Sequence, residues 1–272
     1  MPELPEVETV ARSLVSGQGL GLGVVGRRFA GAKVSWARSI AAPSVRRFAQ
    51  QLAGRQVTGV GRRGKYIRID LSQGSLLVHL RMSGDLLLGR GAAPLGRFSR
   101  VQMFFDDDVQ LSFDDARKFG RIWLLEDAEV VLGNLGPEPF NEALTPAVFH
   151  RMLAERNRQL KPLLLDQAFI AGLGNIYVDE ALWTAQLHPL QGSQSVDKAA
   201  AGKLLRAIRK VLTEGIKRNG ASIDWVYRGG EFQNYFKAYQ QTDEPCPRCG
   251  TPIVRMVMGQ RGTHYCPTCQ RL

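Results

Sequence analysis

The chemistry most legible in this chain belongs to its cysteines. All four fall near the end, in "CPRC" and "CPTC", as Cys246 and Cys249, then Cys266 and Cys269. Two residues separate the members of each pair and sixteen separate the pairs, so two tight turns can offer four thiolates to one tetrahedral zinc ion. Two disulfides or a redox pair are the alternatives, but no βαβ pattern surrounds the motif as a redox site would require. Between the pairs, "PIVRMVMGQRGTHYC" alternates as a strand, turns at "GQRG" and returns, which sets Arg261 at the tip of a finger. A solvated turn arginine is the ordinary reading. A guanidinium held on a rigid finger also suits phosphate recognition.

The second candidate is the start of the chain, "MPELPEVETVARSLV". Val7, Val10, Ala11 and Leu14 recur at the spacing of one buried helical face, with Gly17 as the stop. Pro5 suits the first helical turn, and Glu6 and Glu8 complement the positive end of the helix dipole. Pro2 and Glu3 stand outside that period, and local structure leaves them unexplained. A small second residue permits methionine removal, which is one reason for Pro2. A proline exposed by that removal is also a secondary amine that titrates near neutrality.

These groups sit in a basic chain. Thirty-six Lys and Arg against 25 Asp and Glu over 272 residues give a formal charge of +11, which points to a polyanionic partner. A membrane surface would require a basic amphipathic helix with a strong apolar face or a lipidation signal, and neither is present. Nucleic acid is the better match. No apolar run approaches a membrane span, and the N-terminus lacks the layout of a secretory signal, so an intracellular, cytoplasmic location with reduced thiols is expected.

The elements that must position these groups change character along the chain. From about Val24 to Leu132, short strands dominate ("KYIRIDL", "SLLVHLRM", "VQMFF", "VQLSF", "GRIWLL"), and "VQMFFDDDVQLSF" reads as a hairpin. A β-sandwich or flattened barrel with the N-terminal helix packed on it is the expectation. "GNLGPEPFNEALTP" has the composition of a linker. Thereafter the period is helical, and "KPLLLDQAFIAGLGNIYVDEALW" has the helix, glycine turn, helix layout of many DNA-binding modules, although helical hairpins are commoner in cores. The chain is accordingly α+β, partitioned into 1–132, a linker at 133–143, a helical domain at 144–240 and a zinc ribbon at 241–272.

Taken together and in order, "MPELPEVETV", "RRGKY", "HLRMSG", "ARKFG", "NLGPEP", "GLGNIYVDEALW" and the paired CxxC motifs resemble the bacterial formamidopyrimidine-DNA glycosylases along the whole chain. The resemblance implies a β-sandwich carrying the N-terminal helix, a helix–two-turn–helix domain with a zinc ribbon, and DNA across a cleft. It implies that Pro2, once Met1 is removed, attacks the anomeric carbon of an oxidised purine nucleotide, and that β- and δ-elimination then break the strand. Glu3 corresponds to the family's acid, Glu6 to a support of the segment, and Lys65 to an essential lysine whose role is phosphate contact or proton transfer. By composition alone Lys65 is one cation in a basic strand edge.

The resemblance also assigns DNA contacts. Met82, Arg117 and Phe119 match an intercalating trio that fills the gap left by the extruded nucleotide, where composition alone would put Met82 and Phe119 in a core. Asn175 and Arg156 match phosphate-binding positions, and Arg261 is placed among both the catalytic and the DNA-binding residues. Two departures stand out: Ala116 occupies a position where the family usually has proline, and Phe98 one where it commonly has a histidine that touches DNA. The segment 222–236 corresponds to the loop covering the extruded base, but its sequence does not decide between oxidised purines and the oxidised pyrimidines of the endonuclease VIII branch. The expected partner is damaged duplex DNA, engaged by a monomer with one structural zinc ion. A zinc-ribbon protein that recognises damage without cutting is the rival from another class.

Overall fold

The computed structural model describes residues 1–17, 23–222 and 229–272, and its contacts divide it into two compact units, one built on Met1–Asn134 and one on Leu135–Ala221 with Gly230–Leu272. In the first, helix α1 (Leu4–Ser16) buries Leu4, Val7, Val10, Ala11 and Leu14, the face anticipated from the spacing. It stops at Gly17, whose φ of 90° is left-handed and whose N–H reaches Ser13 O at 2.9 Å.

Strands β1 (Phe29–Val34) and β2 (Ile40–Ala42) follow, then helix α2 (Val45–Leu52), then β3 (Val57–Arg63), β4 (Tyr66–Leu71), β5 (Ser75–His79), β6 (Gly84–Arg90), β7 (Ser99–Phe105), β8 (Val109–Asp115) and β9 (Arg121–Leu125), and a short helix α3 (Glu129–Leu132). They form two sheets, ordered β1-β7-β8-β6 and β2-β9-β5-β4-β3. Burial follows the pleat: β4 buries Ile67, Ile69 and Leu71 and turns Tyr66, Arg68 and Asp70 outward, whereas the central β5 is buried at all five positions. Side chains from both sheets and from α1 share one core, including Val7, Leu14, Ile67, Leu76, Met103 and Phe113. The hairpin read from "VQMFFDDDVQLSF" is β7–β8, in antiparallel register with Met103 opposite Leu111. Helix α2 lies within a region read as strands. It is short, and its burial rests on Phe48 and Leu52, an i,i+4 pair too brief to establish a period.

The second unit is helical: α4 (Pro146–Ala154), α5 (Leu160–Leu164), α6 (Asn175–Ala185) and α7 (Lys198–Lys217), followed by the hairpin β10 (Val254–Met258) and β11 (Arg261–Tyr265). Thr145 and Asp197 cap α4 and α7, their side chains accepting from Val148 N at 3.3 Å and Ala200 N at 2.7 Å. Helix α6 is buried on nearly every side, which accounts for its apolar sequence. It meets α7 closely because position 215 is glycine: a Cβ there would lie 2.6 Å from the ring of the fully buried Tyr177, which stacks on Phe232 at 5.2 Å. Gly215→Val is therefore expected to destabilise the helical unit by roughly 1–3 kcal/mol, read as a lower urea midpoint at unchanged slope.

Candidate active site and metal centre

In the first unit, the start of the chain is fixed by its own carboxylates. Glu3 is the N-cap of α1, and its N–H donates to Glu6 Oε2 at 2.7 Å; Pro2, Glu3 and Glu6 are all buried. One turn later Glu8 accepts from Arg12 Nε at 2.7 Å and from Arg62 Nε at 3.0 Å. Burial alone would raise the Glu8 carboxyl, but the hydrogen bonds and charges of Arg12 and Arg62 hold it below its ordinary value. Arg62 also donates to Gly64 O at 3.1 Å, in the left-handed turn (φ 56°) that leads into Lys65. One guanidinium thus ties α1 to the turn carrying Lys65, which is 5% exposed despite its charge type. While Met1 is attached, the Pro2 nitrogen is a tertiary amide.

His79, at the end of β5, is buried edge-on to Tyr66 at 4.7 Å. Burial, reinforced by the charges of Arg81 and Lys65, lowers it to about 3. The neutral ring accepts the Arg81 N–H at Nδ1, 3.0 Å away, and so shapes the turn that presents Met82. Met82 is half-buried and Phe119 is 50% exposed beside the Arg117 guanidinium, 5.5 Å from its ring, so Phe119 is not a core residue. Phe98 is also exposed, with the Arg97 and Arg100 guanidinium groups 5.4 and 5.6 Å from its ring.

In the second unit, the glycine turn between α5 and α6 is organised by Gln167, which accepts from Gly172 N and donates to Leu165 O and Leu173 O, each at 2.9 Å. Asn175 opens α6, but its amide is occupied, donating to Gly262 O at 3.0 Å. The same carbonyl accepts from Lys161 Nζ at 3.0 Å, and Lys161, fully buried, pairs with Asp179 at 2.6 Å. Asp179 in turn accepts the His264 N–H at 2.9 Å. These bonds fix the hairpin against α6 and leave Arg261 exposed at its tip, opposite Met258. Arg156 is exposed just beyond α4. Of the segment 222–236, residues 223–228 lie outside the described residues.

The four cysteine sulfurs lie within 4.8 Å of one another, with no disulfide among them. Tetrahedral zinc at about 2.3 Å would space them about 3.8 Å apart. The Trp183 indole N–H donates to Cys246 Sγ at 3.4 Å, and the Cys269 N–H to Cys266 Sγ at 3.4 Å, the donor pattern that stabilises thiolates. Hydrogen bonds from Thr251 bring the exposed Cys249 down to about 6, whereas burial pushes Cys266 up to about 12. Binding of a metal ion would displace the remaining thiol protons to solvent, and four sulfurs this close together fit one structural zinc ion.

A strand sandwich headed by a carboxylate-capped helix, a glycine-turned helix pair and a ribbon with four clustered cysteines define a protein of the helix–two-turn–helix class with a site fit for zinc. The family described as "Formamidopyrimidine-DNA glycosylase N-terminal domain" matches residues 1–122, "Formamidopyrimidine-DNA glycosylase H2TH domain" residues 135–226, and "Zinc finger found in FPG and IleRS" residues 243–272. The chain is 41% identical over 280 residues to the formamidopyrimidine-DNA glycosylase of Protochlamydia amoebophila (strain UWE25), covering 100% of both. It is 45% identical over 281 residues to that of Chloroflexus aggregans (strain MD-66 / DSM 9485), covering 100% of this chain and 99% of the relative. Among solved structures, MutM in complex with carbocyclic 8-oxo-G containing DNA aligns over 100% of both chains with a TM-score of 0.90 and 35% identity. The chain belongs to the formamidopyrimidine-DNA glycosylase family. Among the described residues no helix is long and apolar enough to cross a membrane.

Sequence reasoning singled out neither His79 nor the Lys161–Asp179 pair; a lysine before a proline in an amphipathic stretch gives no sign of burial. Two measurements check the site. Because unfolded His79 binds a proton below its ordinary 6.5 and the folded form does so only near 3, its contribution is present at neutral pH and is lost as pH falls through that window. Acidification from pH 7 to pH 5 should cost about 2 kcal/mol that His79→Gln does not lose, read from urea midpoints. Chelation should abolish DNA binding while the first unit keeps its strand signal in circular dichroism; full binding by stripped protein would deny the ribbon its role.

Proposed function

We propose that this chain is a bifunctional DNA glycosylase and abasic-site lyase that removes oxidised purines, 8-oxoguanine and formamidopyrimidines, from duplex DNA in base excision repair. The observation that carries the reading is the end-to-end similarity to a protein solved on DNA containing an 8-oxoguanine analogue. The basic balance of the chain and the thiolate-anchored finger with Arg261 exposed at its tip agree with it. The protein works as a monomer in the bacterial cytoplasm, on the DNA of the nucleoid.

Removal of Met1 converts the Pro2 amide into a secondary amine. Its lone pair attacks C1′ of the damaged nucleotide, and the bond from C1′ to the base breaks with its electrons leaving on the base, which takes up a proton. Glu3 protonates the ring oxygen as the sugar opens to the iminium, while Glu6 holds the segment through the Glu3 N–H. Loss of the C2′ proton expels the 3′ phosphate, and loss of the C4′ proton expels the 5′ phosphate. Water later releases the sugar fragment and restores the amine. Lys65 serves the same segment as phosphate contact or proton carrier. Arg156 and Arg261 grip the backbone, joined at the start of α6 by main-chain N–H groups and by the second amide hydrogen of Asn175, whose first is held by Gly262 O, and Met82, Arg117 and Phe119 fill the space left by the extruded nucleotide. The zinc ion, when bound, holds the ribbon folded and takes no part in bond breaking.

Borohydride trapping on an abasic oligonucleotide tests the chemistry. Demethionylated protein should form a covalent adduct, and the same protein acylated at its N-terminus should form none; an adduct from acylated protein would remove Pro2 from the mechanism. In a competition between duplexes carrying 8-oxoguanine and an oxidised pyrimidine, the purine should be released first. The opposite order would place the chain with endonuclease VIII.

A further inference from the structure

The residues assigned to the base-extruding wedge come from two separated stretches, Met82 before β6 and Arg117 with Phe119 between β8 and β9. Each turn contains a non-glycine residue held left-handed, Arg81 at φ 54° and Lys118 at φ 63°. Such residues are unfavourable by roughly 1 kcal/mol and need an external hold. Between the turns lies Asp115, fully buried at the end of β8.

Every polar atom of Asp115 is in use. Oδ1 accepts from the Ser83 hydroxyl and from Arg117 N at 3.2 Å, and Oδ2 accepts from Gly120 N at 2.7 Å. Its main chain gives N–H to Phe98 O at 3.1 Å and takes Arg100 Nε at 2.8 Å. The Ser83 oxygen, next to Met82, also accepts the Arg117 N–H at 3.0 Å. The carboxylate and the hydroxyl together bridge the Met82 turn to both ends of the Arg117–Phe119 turn. The pocket tolerates no bulk: a Cβ at Gly120 would stand 2.2 Å from the Phe113 ring, and one at Gly84 2.6 Å from Leu80 O.

We propose that Asp115 and Ser83 are positioning residues that lock the two turns into one rigid wedge, so that Met82, Arg117 and Phe119 enter the duplex as a unit. The proposal rests on the wedge reading given above. An Asp115→Asn amide would set an N–H against the N–H of Gly120 or Arg117, leaving buried donors unmatched. Ser83→Ala removes the bridge between the turns and little else.

Both substitutions are to be made in demethionylated full-length protein. Extrusion is followed by the fluorescence of 2-aminopurine beside an 8-oxoguanine in duplex DNA, together with single-turnover excision. Borohydride trapping on single-stranded abasic DNA, which needs no extrusion, serves as the second readout. Ser83→Ala and Asp115→Asn should slow extrusion and duplex excision about tenfold or more, in the range expected for a misplaced positioning group, while single-strand trapping stays at the parental yield. Parental duplex excision in Ser83→Ala, with Phe119→Ala impaired, would overturn the positioning role and leave the wedge standing. If Phe119→Ala and Met82→Ala are also unimpaired, the wedge reading fails and the proposal with it. Parallel loss of single-strand trapping would reduce the pair to a fold requirement and overturn the proposal equally. Should Asp115→Asn fail to fold, Ser83→Ala decides.

Discussion

A carboxylate taken out of water must be given hydrogen-bond donors, and for four buried ones in this protein the donors include backbone N–H groups of segments at or beyond the edges of regular structure. Glu6, Asp115, Asp179 and Glu180 are all buried. Glu6 takes the N–H of Glu3, Asp115 those of Arg117 and Gly120, and Asp179 that of His264. Glu180 takes three in succession, from Lys237, Ala238 and Tyr239. Burial raises the Glu180 carboxyl, while those three bonds pull it the other way. Each such bond costs the peptide its freedom to turn. The beginning of the chain, the turns around Met82 and Phe119, the finger and the 237–239 segment are therefore held in place by buried side chains, although three of the four lie outside regular structure or at its edge.

This arrangement explains how a strongly basic chain reaches precision at its surface. Exposed arginines supply attraction to a polyanion without geometry, since each guanidinium on a solvated stem has many rotamers. Geometry comes from beneath. Lys161 and Asp179 form a buried ion pair with both partners almost wholly screened from solvent, and Lys161 spends a further proton on Gly262 O. A buried pair is a doubtful source of stability, but removing one partner strands the other, so the hairpin is held in one register rather than merely held. The thiolate cluster closes the same hairpin from its far end, with the Trp183 indole joining it to α6.

How much of this was readable in advance depended on whether the cause was local. The spacing of Cys246, Cys249, Cys266 and Cys269 and the buried period of α1 are local, and both were legible. Helix α2 was not, because two anchors one turn apart do not distinguish a helix from a strand that also buries alternate residues. Asp115 was hidden by parity: in "FDDAR" the pleat turns Asp115 into the interior and leaves Asp114 half-exposed, accepting the Phe98 N–H at 2.7 Å. Nothing in two adjacent aspartates says which is which until the register of β8 is known. Asn175 shows the converse. Its place at the start of α6 favours anion binding, yet the side-chain amide is committed to Gly262 O, and its Oδ1 is buried without a protein partner. A residue type and a helix terminus indicate a possible ligand; only tertiary structure shows what has already claimed the atom.

The same logic applies to the first two residues. A chain terminus usually frays, and a nucleophile on a frayed end would have to find its target anew in every turnover. Here the N–H of Glu3 is committed to Glu6, and α1 is tied through Glu8 and Arg62 to the turn before Lys65. Pro2 is one peptide bond from that anchor, and its ring removes the φ rotation that any other residue would keep. Removing Met1 then changes one functional group, amide to amine, at a position whose surroundings are already built. In the proposed mechanism rigidity and reactivity are thus supplied separately: the carboxylates and Arg62 provide the first from within the fold, and processing of the chain provides the second.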